Sequence, residues 1–168
     1  MILVASVCAG TVTAFGETVP AAFGAGGAIA ATAKREGDGA SPLGAWPIRA
    51  ALLRPDKMTA PVTLLPWRWL RPGDGWSDDS ADPAYNRPVS HPHGFSAERL
   101  WRCDGIYDII LILGYNDAPP VAPLGSAIFL HCTRPDTVPT QGCVAVARDV
   151  LEKWLYRLAP GDAVRIEI

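Results

Sequence analysis

At 168 residues the chain is long enough to bury one real core and short for two. Hydrophobic residues make up 49% and charged residues 19%, which excludes a disordered chain. A formal net charge of −2 leaves no basic footprint for nucleic acid and no polybasic patch for a membrane.

Gly and Pro each number 16, a density of turn-formers that favours short strands joined by loops. The apolar run Ile2 to Ala9 has no Lys or Arg before it, the first basic residue being Lys34. It lacks the positive start of a secretory signal and the length of a membrane span, so it reads as a buried first strand. Through residue 33 the sequence continues as a meander of short strands, Ile2 to Val7, Thr11 to Phe15 and Val19 to Phe23, broken by Gly10 and Gly16. Lys34 to Gly44 carries turn chemistry and reads as a loop. Pro47 to Leu53 and Val62 to Leu65 read as strands. Trp67 to Pro92, rich in Pro, Gly and Asp, reads as a long loop of the kind that carries function.

Tyr107 to Gly114 is the strongest strand pattern, a continuous apolar run expected at the centre of a sheet. Ser126 to His131 is a second, ending on histidine. From Ala147 to Leu158 the residues Val150, Leu151, Trp154, Leu155 and Leu158 make one helical face. Asp149 and Glu152 lie toward its start and Lys153 and Arg157 toward its end, as the macrodipole favours. Pro160-Gly161 stops the helix, and Val164 to Ile168 alternates as a last strand. The expectation is one mainly β domain over residues 1–168.

Chemistry-bearing residues concentrate in one segment, His131 to Ala145. A histidine ends a buried strand, and after a spacer Cys143 follows Gly142 shortly before the helix. A thiol of pKa about 8.5 is mostly protonated at neutral pH, and a neighbouring imidazole activates it by taking the proton. A nearby helix N-terminus favours the thiolate, and Gly142, lacking a side chain, lets backbone approach a substrate and offer N–H groups to an oxyanion. The residues alone leave a second reading open, in which Cys143 is a buried small apolar group and His131 a satisfied structural residue. Cys8, Cys103, Cys132 and Cys143 fit neither a dense disulfide framework nor a zinc pattern. A Cys132–Cys143 bridge would disarm the thiol. His91-Pro92-His93 lacks a third ligand and is weak as a metal site. Asp78-Asp79 suits a cation, a substrate amine or a solvated turn; Arg134 suits a substrate carboxylate, and Trp76 and Tyr115 are candidates to line a cleft.

The block Thr140-Gln141-Gly142-Cys143-Val144, with His131 upstream on a Phe-Leu-His strand, resembles the signature of the L,D-transpeptidase catalytic domain: a histidine, a spacer, Ser or Thr, usually His, then Gly and Cys. Glu36 to Gly44, Gly75 to Arg87, Tyr107-Asp108, Gly114-Tyr115-Asn116 and Gly125-Ser126-Ala127 extend the resemblance over most of the chain. Gln141 stands where many members have His, Ala145 where many have Asn or Arg, and the His-to-Cys spacing is short. The resemblance implies a β-sandwich of mixed strands with one or two short helices, and a cysteine acyltransferase acting on peptidoglycan stem peptides. It implies Cys143 as nucleophile, His131 as base and Gly142 in the oxyanion turn, with Thr140, Gln141 and Tyr115 binding or orienting substrate. D-alanine would leave, and the thioester would pass to the amine of a second stem to give a 3-3 cross-link. Neither cofactor nor metal is needed, and such a substrate implies the bacterial envelope (periplasm), with the cytoplasm as the alternative because no signal peptide is recognisable. A stem-peptide hydrolase on the same scaffold and a non-catalytic peptidoglycan-binding module are the alternatives.

Overall fold

The computed structural model describes residues 1–134 and 138–168. Thirteen strands and one helix follow in the order β1 (Ile2–Ser6), β2 (Thr11–Ala14), β3 (Glu17–Ala22), β4 (Ala28–Ala30), β5 (Ser41–Leu53), β6 (Trp67–Trp69), β7 (Asp74–Ser77), β8 (Pro88–Ser90), β9 (Ala97–Arg99), β10 (Ile109–Leu113), β11 (Phe129–Cys132), β12 (Val144–Val146), α1 (Arg148–Leu155) and β13 (Ala163–Glu167). Among the described residues no helix is long and apolar enough to cross a membrane.

The first three strands form the expected meander. β1 pairs antiparallel with β2 and β2 with β3, and β13 returns parallel to β1. The thirteen-residue β5 serves two neighbourhoods: residues 44–47 pair with β13, and residues 48–53 pair with β10. Through β10–β11–β12–β3 the pairing runs back to the meander, so two layers of mixed strands share β5 and β3 at their corners. This is the mainly β, mixed-strand fold expected, closed more like a barrel at its corners than an open sandwich. Leu3, Val12, Leu53, Leu111, Leu130 and Val144 fill the space between the layers, joined by Leu151, Trp154 and Leu155 of α1.

The layer that carries the site is apolar on both faces. Along β10, Ile109, Leu111 and Leu113 point into the main core, while Ile110 enters a second cluster with Leu52, Phe129, Trp76 and Leu100. A strand buried on both sides reads as an unbroken apolar run, which is why Tyr107 to Gly114 lacks alternation. A small antiparallel sheet, β8–β7–β9, covers that outer face.

Four expectations need correction. β5 begins at Ser41 rather than Pro47, because β4 pairs with residues 41–43 and extends the strand into the expected loop. Val62 to Leu65 is not a strand: Val62 is 83% and Leu64 76% exposed, and the ladder position beside β5 is taken by Trp67–Trp69. The segment Trp67 to Pro92 is not loop throughout but supplies β6, β7 and β8. Finally, α1 starts at Arg148, with β12 standing between it and Cys143, so its N-terminus does not reach the thiol.

Candidate active site

Parallel pairing of β11 with β12 sets Leu130 beside Val144, His131 beside Ala145 and Cys132 beside Val146. In-register partners on parallel strands point to the same face of a sheet, and successive residues alternate. Phe129 and His131 therefore share the outer face with Cys143 and Ala145, while Leu130, Cys132, Val144 and Val146 face the main core. The same alternation puts Cys132 and Cys143 on opposite faces of the sheet, so the bridge that would disarm the site is not formed; both are free thiols.

His131 and Cys143 both open onto one cavity of about 760 Å³, between the outer face and the small sheet. Thr140, Gln141, Arg134 and Asp78 line it as well. The Pro135-Asp136-Thr137 part of the motif segment lies outside the described residues.

Cys143 is 7% exposed. Its S–H donates to the Ala127 carbonyl at 3.1 Å, and the Phe129 amide donates to Sγ at 3.3 Å. Burial pushes the thiol up to about 12, with the nearby Glu98 carboxylate adding to the rise and the Phe129 amide opposing it. His131 is 5% exposed and donates from Nδ1 to the Cys132 carbonyl at 2.9 Å. That bond fixes the tautomer and leaves Nε2 with its lone pair. Burial lowers the imidazole to about 4, against the opposing pull of the Cys132 and Ile106 carbonyls. At neutral pH the resting pair is a thiol and a neutral imidazole. The ring is fixed further by Tyr107, packed edge-on at 5.1 Å between centroids, whose hydroxyl donates to Glu98 at 2.5 Å.

The turn before Cys143 is tied by Thr140. Its hydroxyl donates to the Cys143 carbonyl at 2.7 Å and accepts from the Gly142 amide at 3.2 Å. Gly142 has φ +124°, and a Cβ there would stand 2.8 Å from the Ala40 carbonyl oxygen and 3.3 Å from Ile128 Cδ1. The close approach that requires glycine is thus made by the chain's own backbone, and the Gly142 amide is engaged by Thr140.

Tyr115 is not brought to this cavity. It is 4% exposed, its hydroxyl donates to the Leu124 carbonyl, and its ring packs edge-on against Trp46 at 4.9 Å. Trp76 likewise packs on Phe129 at 5.2 Å. Both border a separate, smaller pocket of about 210 Å³. The two loop histidines diverge: His93 Nε2 meets Asp82 at 2.7 Å, while His91 stacks over Gly75.

Sequence reasoning missed Asn86 as an individual. Buried at 3% exposure, it accepts from Trp76 Nε1 at 2.8 Å and from the Ala127 amide at 3.1 Å, and donates to the Tyr115 and Asn116 carbonyls at 3.1 and 2.7 Å. All four hydrogen-bonding positions of the amide are filled. It holds Ala127 at φ +52°, a conformation costly for a residue with a Cβ, with the Ala127 carbonyl on the Cys143 thiol. Glu98, Arg99 and Arg102, also on the cavity wall, were missed too. Glu98 and Arg99 belong to the three-residue β9 and Arg102 follows it, in a charged stretch where nothing local separates a cavity residue from a solvated one.

Solved structures similar at low identity include three L,D-transpeptidases. L,D-transpeptidase 3 from Mycobacterium tuberculosis, in complex with a faropenem-derived adduct, is 15% identical over 99% of this chain and 60% of that chain, with a TM-score of 0.45. An L,D-transpeptidase from M. tuberculosis H37Rv is 14% identical over 99% and 57%, with a TM-score of 0.46. The L,D-transpeptidase from Mycobacterium smegmatis is 16% identical over 99% and 58%, with a TM-score of 0.44. The chain thus spans about three-fifths of the length of these proteins. No curated protein is significantly similar in sequence. The sequence profile of the L,D-transpeptidase catalytic domain (YkuD) matches residues 10–166, and the chain belongs to that family.

Proposed function

We propose that this chain, over residues 1–168 as one catalytic domain, is a cysteine acyltransferase that acts on peptidoglycan stem peptides in the bacterial envelope. The observation that carries the reading is the placement of Cys143 and His131 on one sheet face, open to one cavity, with His131 Nδ1 locked to a backbone carbonyl.

The neutral resting pair shapes the mechanism. A carbonyl oxygen such as that of Ala127 accepts a hydrogen bond but is too weak a base to take the proton, so His131 Nε2 takes it as Sγ attacks. Sγ bonds to the carbonyl carbon of the diamino acid that precedes D-alanine. Negative charge develops on the carbonyl oxygen, and with the Gly142 amide engaged by Thr140, we assign its stabilisation to the Cys143 amide. Collapse breaks the C–N bond, His131 returns the proton to the departing nitrogen, and D-alanine leaves a thioester on Cys143. The side-chain amine of a second stem then attacks. The C–S bond breaks, an amide forms, and the amine proton returns through His131 to Sγ. The steps require neither metal nor cofactor.

Incubation with a tetrapeptide donor and no acceptor is expected to release D-alanine and to leave the acyl mass on the intact protein. Cys143→Ala is expected to show neither. D-alanine release at the wild-type rate by Cys143→Ala would remove Cys143 from the mechanism.

A further inference from the structure

The wall of the cavity facing the thiol carries carboxylates that the acylation steps do not use. Glu36, Asp78 and Glu98 all line it. Two of them are aimed by tyrosines: Tyr85 donates to Glu36 Oε2 at 2.6 Å, and Tyr107 donates to Glu98 Oε1 at 2.5 Å, each leaving the second carboxylate oxygen for another donor. All three wall the one cavity, and Asp78 and Glu36 add to the rise that burial, the main cause, imposes on the Glu98 carboxyl.

Two polar atoms on the same wall are buried without a hydrogen-bond partner among the described residues, Asp78 Oδ1 and Ser126 Oγ. Ser126 is only 7% exposed. It stands beside Tyr85 and offsets part of that phenol's upward shift, yet it forms no bond of acceptable geometry, and Tyr85 is already committed to Glu36 and the Gly125 amide. An orphaned carboxylate oxygen in a buried site is costly unless a ligand supplies a donor, and an orphaned hydroxyl beside it can turn its lone pairs to the same donor. Nearby cations are largely committed elsewhere: Arg102 and Arg134 pair with Asp104 at 2.6 and 2.8 Å, and Lys34 pairs with Asp38 at 2.6 Å. Arg99 borders the cavity from the exposed edge of β9.

The missing partner is therefore a donor-rich cation. Among the described residues no three of His, Cys, Asp and Glu are placed to ligate one metal ion. Ala97, Ile106 and Ala127 provide apolar lining that suits a hydrocarbon stem. We propose that Glu36, Asp78, Glu98 and Ser126 form a subsite for a primary ammonium group on an alkyl stem, that the Glu98 carboxylate takes the extra proton as the group leaves the subsite, and that the free amine so delivered attacks the Cys143 thioester. This rests on the acyltransferase reading for its role, but the binding itself does not.

The test uses the full chain carrying Cys143→Ala, which binds without turnover. Nα-acetyl-L-lysine amide is titrated against backbone amide resonances, beside an analogue with a hydroxyl in place of the amine. The lysine probe is expected to shift residues 97–99 and 125–127 and to bind at least tenfold more tightly than the hydroxyl analogue. Asp78→Asn and Glu98→Gln are expected to weaken it at least fivefold, and Ser126→Ala about threefold; Ser126→Ala leaves the carboxylates and tyrosines in place should the charge variants unfold. Equal binding of the two analogues, or unchanged binding in the variants, overturns the subsite. So does Ca²⁺ shifting these amides while the lysine probe does not. Probe binding by Cys143→Ala, beside a wild type that forms no acyl-enzyme with a tetrapeptide donor, would sink the acyltransferase reading and leave the subsite standing. Acylation without probe binding would do the reverse.

Discussion

His131→Gln is expected to slow acylation of Cys143 by about 10²- to 10⁴-fold, the usual worth of a positioned general base. Glutamine keeps a donor for the Cys132 carbonyl and much of the ring's volume, so the loss reports the missing base. Stability gives a second readout. The imidazole is held at about 4, below its ordinary 6.5, because burial disfavours the charged form. The unfolded chain binds that proton as pH falls through 6.5, while the folded chain refuses it until about 4. Folding stability contributed by the neutral His131 is thus fully present above 6.5, declines from 6.5 to 4, and is lost below 4. At about 1.4 kcal/mol per pH unit, the window is worth about 3 kcal/mol. Urea titrations from pH 7 to pH 4 are expected to show the wild type losing that stability and His131→Gln being spared it. The wild-type acylation rate should keep its acid limb near 4. A limb at 6.5 that survives in His131→Gln would exclude His131 as the base.

Trp154→Ala is expected to destabilise the fold by about 3–5 kcal/mol, the range for deleting a large aromatic side chain from a core. Trp154 is 0% exposed, its ring lies 6.4 Å from Phe15, and its Nε1 donates to Glu17 Oε1 at 2.7 Å. Removing it opens a void under α1 and takes a donor from Glu17, which sits on the surface with Lys153. For a chain of this size the melting temperature should fall by about 10 °C. A loss below 1 kcal/mol would mean that α1 is not anchored by this residue.

Much of this architecture is legible in the amino-acid order. Residues 1–33 alternate because one layer of the fold has a core side and an outer side, and β1, β2 and β3 appear where that alternation falls. The face formed by Leu151, Trp154 and Leu155 is buried as its spacing implies. What fails is whatever depends on a partner distant in the chain. Val62 to Leu65 has strand-forming residues but pairs with no strand among the described residues, whereas Trp67–Trp69, three residues long, is a strand because β5 lies beside it. β7, β8 and β9 are three or four residues each, too short to set a period, and Asp74 to Ser77 is buried at every position.

The site divides along the same line. The Gly-Cys turn and a histidine near the end of an apolar strand are local features and stand out in the sequence. Their common face depends on the parallel register of β11 and β12, which no local pattern encodes. Tyr115 shows the converse: an aromatic in a motif that resembles the family proves to be a packing residue bonded to Leu124. Asn86 and Glu98 gain their roles only once β7 and β9 fold over the outer face.

The most direct test of the central claim is product analysis of tetrapeptide muropeptides incubated with the wild type, Cys143→Ala and His131→Gln. Cross-linked dimer in stoichiometric balance with released D-alanine, absent with Cys143→Ala and slowed by at least a hundredfold with His131→Gln, is the predicted result. Trimmed monomers with no dimer at saturating acceptor, or dimer formed equally well by Cys143→Ala, would contradict it.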